Sequence, residues 1–112
     1  MEKYEWAEGM ACAVTAADKD GVIRYMNRKA RETYKKHGNL IGKSLYDCHG
    51  ERAAGIIRQL LAEGGTNAYT IEKNGQHKVI YQTAVTDGDG HVEGIVEISM
   101  VVPEEMPHYV RG

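Results

Sequence analysis

The sequence predicts an α+β domain: a five-stranded antiparallel sheet with helices packed on one face, in the order β-β-α-α-α-β-β-β. Three observations carry this. Asn74-Gly75, a pair well suited to a two-residue hairpin turn, separates two strand-like stretches. Ala53, Ile57, Leu60 and Leu61 form an apolar stripe at helical spacing, stopped by Gly64-Gly65. Strand patterns at both ends flank a helical middle, so one sheet covered by helices is the economical packing. At 112 residues, about two-thirds of the unfolded surface can be buried, enough for one core without disulfide staples.

Taken in order, Lys3 to Glu8 reads as a short helix stopped by Gly9. Met10 to Ala17 is a strand of small residues closed by Asp18-Lys19-Asp20-Gly21, a turn cluster. Val22 to Met26 follows as its hairpin partner. Asn27 suits the N-cap of a helix through His37, with Ala30 and Tyr34 on one face and Gly38 as the stop. Arg28–Glu32 and Glu32–Lys36 add i,i+4 charge pairs. Asn39 to Gly50 is irregular with a turn or two of helix, and leads into the striped helix. Thr66–Lys73 and His77–Thr86 form the second hairpin, and Asp87-Gly88-Asp89-Gly90 turns into a last strand, His91 to Val102.

That strand carries two alternating sets. Val92, Gly94, Val96, Ile98 and Met100 are continuous and apolar, so they are expected to face the helices. Ile95 and Val101 lie on the other, mixed face. Tyr4 and Trp6 of the N-terminal helix are its expected cover, or a second copy of the chain. Residues 1–9 are thus an N-terminal cap, 10–102 the domain and 103–112 a tail.

A net charge of −2 argues against nucleic-acid binding, whose electrostatic footprint is a basic excess. No apolar run is long enough for a bilayer, and Met1 to Glu5 does not resemble a signal peptide. Cys12 and Cys48 are too few for a disulfide scaffold and lack zinc-ribbon spacing, so a reducing cytoplasm is expected.

Three strings carry a family resemblance. Asp20-Gly21-Val22-Ile23-Arg24-Tyr25-Met26-Asn27-Arg28-Lys29-Ala30 runs a strand into an Asn-opened helix. Leu40-Ile41-Gly42-Lys43-Ser44-Leu45 has a hydrophobic-Gly-Lys pattern, and Asp87 to Ser99 is a turn into a strand. In this order and spacing, over about residues 10 to 101, the chain resembles the PAS domain, a sensory and interaction module. The resemblance implies a stand-alone module that binds a small ligand or cofactor in a helix–sheet cavity. It would signal as a homodimer or through a separate signalling protein. The family's Asp-Ile-Thr type signature after the last strand is absent, and Val102-Pro103-Glu104-Glu105-Met106-Pro107 follows instead.

The expected cavity group is Tyr34, Tyr46, Cys48, His49, Ile57, Tyr69, Gln82 and Val96. Tyrosines bring apolar area and a hydroxyl that needs a partner when buried, and packing at helix–sheet edges is their simpler role. In haem-binding relatives the resemblance implies an axial His from the region of Cys48-His49, and imidazole suits iron. Helix capping by His49 and apolar packing of Cys48 are the simpler roles. Flavin photochemistry is disfavoured: Leu45 stands where the light-sensing branch carries its reactive Cys, and Val96 where that branch has a flavin-contacting Gln.

The two Asp-rich turns resemble the opening of a calcium loop, but the twelfth positions are Lys29 and Ile98, so both are read as turns. No Gly-x-Ser-x-Gly, His-Glu-x-x-His or phosphate-loop motif is present, so no catalytic residues are assigned. Glu93 and Glu97 are read as exposed or interfacial, not as an enclosed acid/base pair. The basic residues Arg28, Lys29, Arg31, Lys35 and Lys36 read as a solvated helix face. A haem or metal sensor using His49, an adaptor with a filled core and a small enzyme are the alternative functions.

Overall fold

The computed structural model describes residues 4–112. Helix α1 (Glu5–Glu8) precedes strands β1 (Ala13–Asp18) and β2 (Ile23–Met26). Helix α2 (Arg28–Thr33), two 3-10 turns (Lys35–His37 and Leu45–Cys48) and helix α3 (Glu51–Glu63) form the middle. Strands β3 (Thr66–Lys73), β4 (Gln76–Thr86) and β5 (Val92–Val102) complete the chain. All pairings are antiparallel, and the sheet order is β2-β1-β5-β4-β3. The five-stranded sheet with α2 and α3 on one side is the predicted fold. Lys3, the predicted start of the first helix, lies outside the described residues.

Local chemistry explains the hinges. Asn74 (φ 53°) and Gly75 (φ 76°) both take the left-handed conformation that a tight two-residue turn demands. In each Asp-rich turn the first Asp accepts two backbone bonds: Asp18 from Asp20 and Val22, Asp87 from Asp89 and His91. Helix α2 ends at Thr33, sooner than expected, and the chain tightens into the 3-10 turn before Gly38. Past Ala30 this segment has no buried residue to hold a longer helix against the sheet. In α3 the buried stripe is Ala54, Ile57 and Leu60, so Ala53 yields its predicted place to Ala54.

Register decides the two faces of the sheet. Ala17 pairs with Ile95, Thr15 with Glu97 and Ala13 with Ser99. Ile95 is 2% exposed and packs in one core with Ala13, Ala17, Ile23, Met26, Ala30, Leu45, Ile57 and Leu60. The helices therefore cover the set containing Ile95, Glu97 and Ser99, the reverse of the expectation. Val96 pairs with Ala16 and Thr83, Ile98 with Val14 and Tyr81, and Met100 with Val79, all on the outer face. Part of that face is covered by α1: Tyr4 stacks on Tyr25, which pairs with Ala16, at a ring separation of 4.5 Å. The cause of the reversal is that both sets carry β-branched apolar residues, so alternation alone cannot choose between them.

Asn27 ties these layers together. Its Oδ1 accepts from the Val14 and Ala30 backbone N–H groups, and its Nδ2 donates to the Ala7 and Cys12 carbonyls. One buried amide thus caps α2, pins β1 and anchors the end of α1. Arg31 of α2 adds a two-pronged ion pair to Glu8 of α1, at 2.6 and 3.1 Å.

Candidate functional site

A cavity of about 350 Å³ lies between the sheet and the segment from α2 to the start of α3. Thr15, Ile23, Met26 and Glu97 line it from the sheet. Tyr34, His37, Leu40, Leu45, Asp47, Cys48 and His49 line it from the helical side. The loop that carries the helical wall is stitched to β2: Gly42 N–H donates to the Ile23 carbonyl, Ile23 N–H to Lys43, and Leu45 N–H to Gly21. Gly42 has φ 88°, which only glycine adopts readily, and this conformation lets the loop lie along the strand. Ser44 then opens the 3-10 turn by accepting from Tyr46 N–H, which sets Cys48 and His49 at the cavity.

His49 Nδ1 lies 2.8 Å from the Leu45 carbonyl oxygen. A carbonyl only accepts, so Nδ1 carries the proton in this contact. Cys48 is exposed beside it.

The polar wall is built on the sheet. Asn67 Nδ2 donates to Gln82 Oε1 and Gln82 Nε2 donates to Glu97 Oε2, each at 2.9 Å. This chain runs across β3, β4 and β5 and uses one carboxylate oxygen of Glu97, leaving acceptor capacity on the other. Burial, and then the negative charge of Glu97, push the Tyr34 phenol above its ordinary range. Burial and Glu97 act on Tyr69 in the same direction. Both phenols stay protonated at neutral pH.

The structure brings together Tyr34, Cys48 and His49 of the expected group, with Gln82 behind the wall. Ile57 is core and does not line the cavity. Tyr46 packs at the edge of the core with the Arg58 guanidinium 5.0 Å above its ring. Tyr69 sits on the edge strand, 43% exposed. Val96 is on the outer face, a correction that follows from the register. Of the expected partner face, Trp6 is 65% and Val101 52% exposed, while Ile95 is buried under the helices and cannot meet a partner.

Glu97 is the residue that sequence reasoning misplaced. Read as exposed or interfacial, it lines the cavity. The register supplies what the sequence lacks: Gln82, itself a cavity candidate, lies directly opposite Glu97. A second hollow of about 230 Å³, lined in part by Arg31 and Lys35, shares Met26, Tyr34 and Leu40 with the first.

The family model of the PAS fold matches residues 7–105. This chain belongs to the PAS fold family. Solved structures agree on the fold. The C-terminal domain of a Streptococcus mutans protein has TM-score 0.68 at 18% identity, covering 84% of this chain and 78% of that one. The PAS domain of the histidine kinase ThkA gives 0.65 at 19%, covering 80% and 98%. The Aer2 receptor from Vibrio cholerae, a dual PAS-heme oxygen sensor, gives 0.58 at 20%, covering 86% and 98%. A comparison with curated protein sequences finds no match. PAS domains are generally sensory signalling modules rather than catalysts, and some bind ligands. Among the described residues of this PAS domain, no helix is long and apolar enough to cross a membrane.

Haem is a group this fold can hold, and His49 offers it an imidazole. The rest of the site does not fit it. Among the described residues no Lys or Arg lines the cavity to meet two propionates, and the carboxylates of Glu97 and Asp47 oppose them. A volume of about 350 Å³ is also at the small end of ligand pockets.

Proposed function

We propose that this PAS domain is a non-enzymatic sensory module that binds a small molecule between Tyr34, His49 and Glu97 and signals through a homodimer or a partner protein. The observation that carries the reading is Glu97: a charged side chain in the middle of an inner strand, held by Gln82 and turned toward a largely apolar cavity. Sites of this composition bind small molecules, with the apolar wall giving affinity and the few polar groups giving orientation.

The route outward is short. Tyr34 caps α2, Arg31 of α2 holds Glu8, and Glu8 belongs to α1 on the outer face. A ligand that moves Tyr34 shifts α2 and biases that clasp, provided the ligand binds the two arrangements with different affinity. The readout surface is the apolar outer face, where Trp6, Tyr81 and Met100 remain exposed. A second copy of the chain, or a partner with a matching apolar patch, would cover it.

Two measurements test the reading. A fragment screen followed by ¹H–¹⁵N spectra should give hits that move the amides of Thr15, Tyr34, Leu40, His49 and Glu97, and that Leu40→Trp abolishes. Hits that avoid these residues, or that persist in the filled variant, would overturn the binding site. Sedimentation should show a dimer that Tyr81→Glu or Met100→Glu dissociates; a monomer throughout would remove the homodimer.

A further inference from the structure

We propose that the cavity selects small organic cations: an ammonium or amidinium head hydrogen-bonded to Glu97, with an apolar body against Ile23, Met26, Leu40 and Leu45. This rests on the reading of the cavity as a ligand site and adds the chemical class of what it takes. Three observations point the same way.

Among the described residues, the lining carries two carboxylates, Glu97 on the sheet wall and Asp47 on the helical wall, and two imidazoles, His37 and His49, but no Lys or Arg. The nearest cation-bearing hollow, with Arg31 and Lys35, lies across Tyr34 and Leu40, and Arg31 is committed to Glu8 and to the Met26 carbonyl.

The second observation is orientation. The amide chain from Asn67 through Gln82 ends on one oxygen of Glu97, so the carboxylate is aimed, with its remaining lone pairs for an incoming N–H donor. The third is the surround. Tyr34 presents an aromatic ring at the cavity, and rings attract cations as well as apolar groups. A ligand carboxylate would instead meet like charge in a partly dehydrated space, which is costly.

The test uses the full chain and three probes of one shape: 2-phenylethylammonium, 2-phenylethanol and 3-phenylpropionate. Calorimetry and ¹H–¹⁵N spectra at millimolar concentration should show the ammonium moving the Glu97, Thr15 and Tyr34 amides and binding at least roughly tenfold tighter than the alcohol. The carboxylate should be weakest. Glu97→Gln should remove the preference for the cation, and Asp47→Asn at the exposed mouth should reduce it in a second background where folding is not in question. Equal binding of the three probes at these residues, or preference for the carboxylate, would overturn the charge selection while leaving the cavity a ligand site. No movement of any lining amide with any probe would overturn both.

Discussion

Gln82 and Glu97 lie directly opposite each other on β4 and β5, and Gln82 Nε2 donates to Glu97 Oε2 at 2.9 Å. Gln82 is only 3% exposed, and its Oε1 accepts from Asn67. Replacing it therefore strands two polar partners. Gln82→Met keeps the length and removes both bonds, so a loss of about 1–3 kcal/mol is expected in urea unfolding. Asn67→Ala should cost less, because Asn67 is half-buried and water can take its place.

Asn27 is 0% exposed, and its side chain makes four hydrogen bonds to three separate segments. Losing an N-cap alone costs about 0.5–2 kcal/mol. Each buried backbone group left without a partner adds roughly 1–3 kcal/mol. Asn27→Ala should therefore consume a large part of a stability of about 5–15 kcal/mol. Asn27→Asp keeps the two acceptor bonds but turns its second carboxylate oxygen on the Ala7 and Cys12 carbonyls, which cannot donate to it, so it too should melt well below wild type.

The clasp between α1 and α2 has a pH signature. Hydrogen bonds from Arg31 first, and then from Tyr25, hold the Glu8 carboxyl down at about 2, against 4.5 ordinarily. A carboxyl whose pKa is lowered on folding contributes stability that is complete above about 4.5 and is lost as the pH falls through about 2. Carbon-detected titration should place the Glu8 midpoint near 2, and Arg31→Gln should return it toward its ordinary value. The stability gap between wild type and Arg31→Gln should be small, since both side chains are about half exposed, and should close across that window.

Gly21 and Tyr46 form a steric pair. Gly21 has φ +80°, and a Cβ there would stand 2.8 Å from Tyr46 Cε2. Gly21→Ala thus suffers twice, once from the left-handed backbone, at about 1–2 kcal/mol, and once from the ring. Adding Tyr46→Ala to Gly21→Ala should recover the part due to the ring and leave the backbone cost. Thermal melts of the two single variants and the double variant separate the two contributions.

Much of the fold was legible because its signals are local. Asn74-Gly75, Asp18 to Gly21 and Asp87 to Gly90 carry their turn chemistry in the residues themselves, and Ile57 and Leu60 mark a helix face by spacing. The site was legible only in part. Cys48 and His49 are legible through the family resemblance, and Tyr34 as one of a set of tyrosines whose hydroxyls need partners when buried. Glu97, Thr15 and Asp47 were missed, since each is an ordinary surface-type residue until its neighbours are known. Val96 fails to line the cavity and Ile95 fails to meet a partner for one shared reason: the alternation of β5 fits either face, and the tertiary structure takes the opposite one to the expectation.

By itself, then, the sequence determined the order of elements, their turns and the family, because backbone preference and apolar periodicity act over a few residues. Only the tertiary structure decided which face of β5 meets the helices. Val96 and Ile98 are as apolar as Ile95, so either face satisfies the pattern. The choice was made by the pairing of Ala17 with Ile95 and Thr15 with Glu97, and by the packing of Ile57 and Leu60 in the same core as Ile95. That choice carries Glu97 to the cavity, and with it the chemistry of the site.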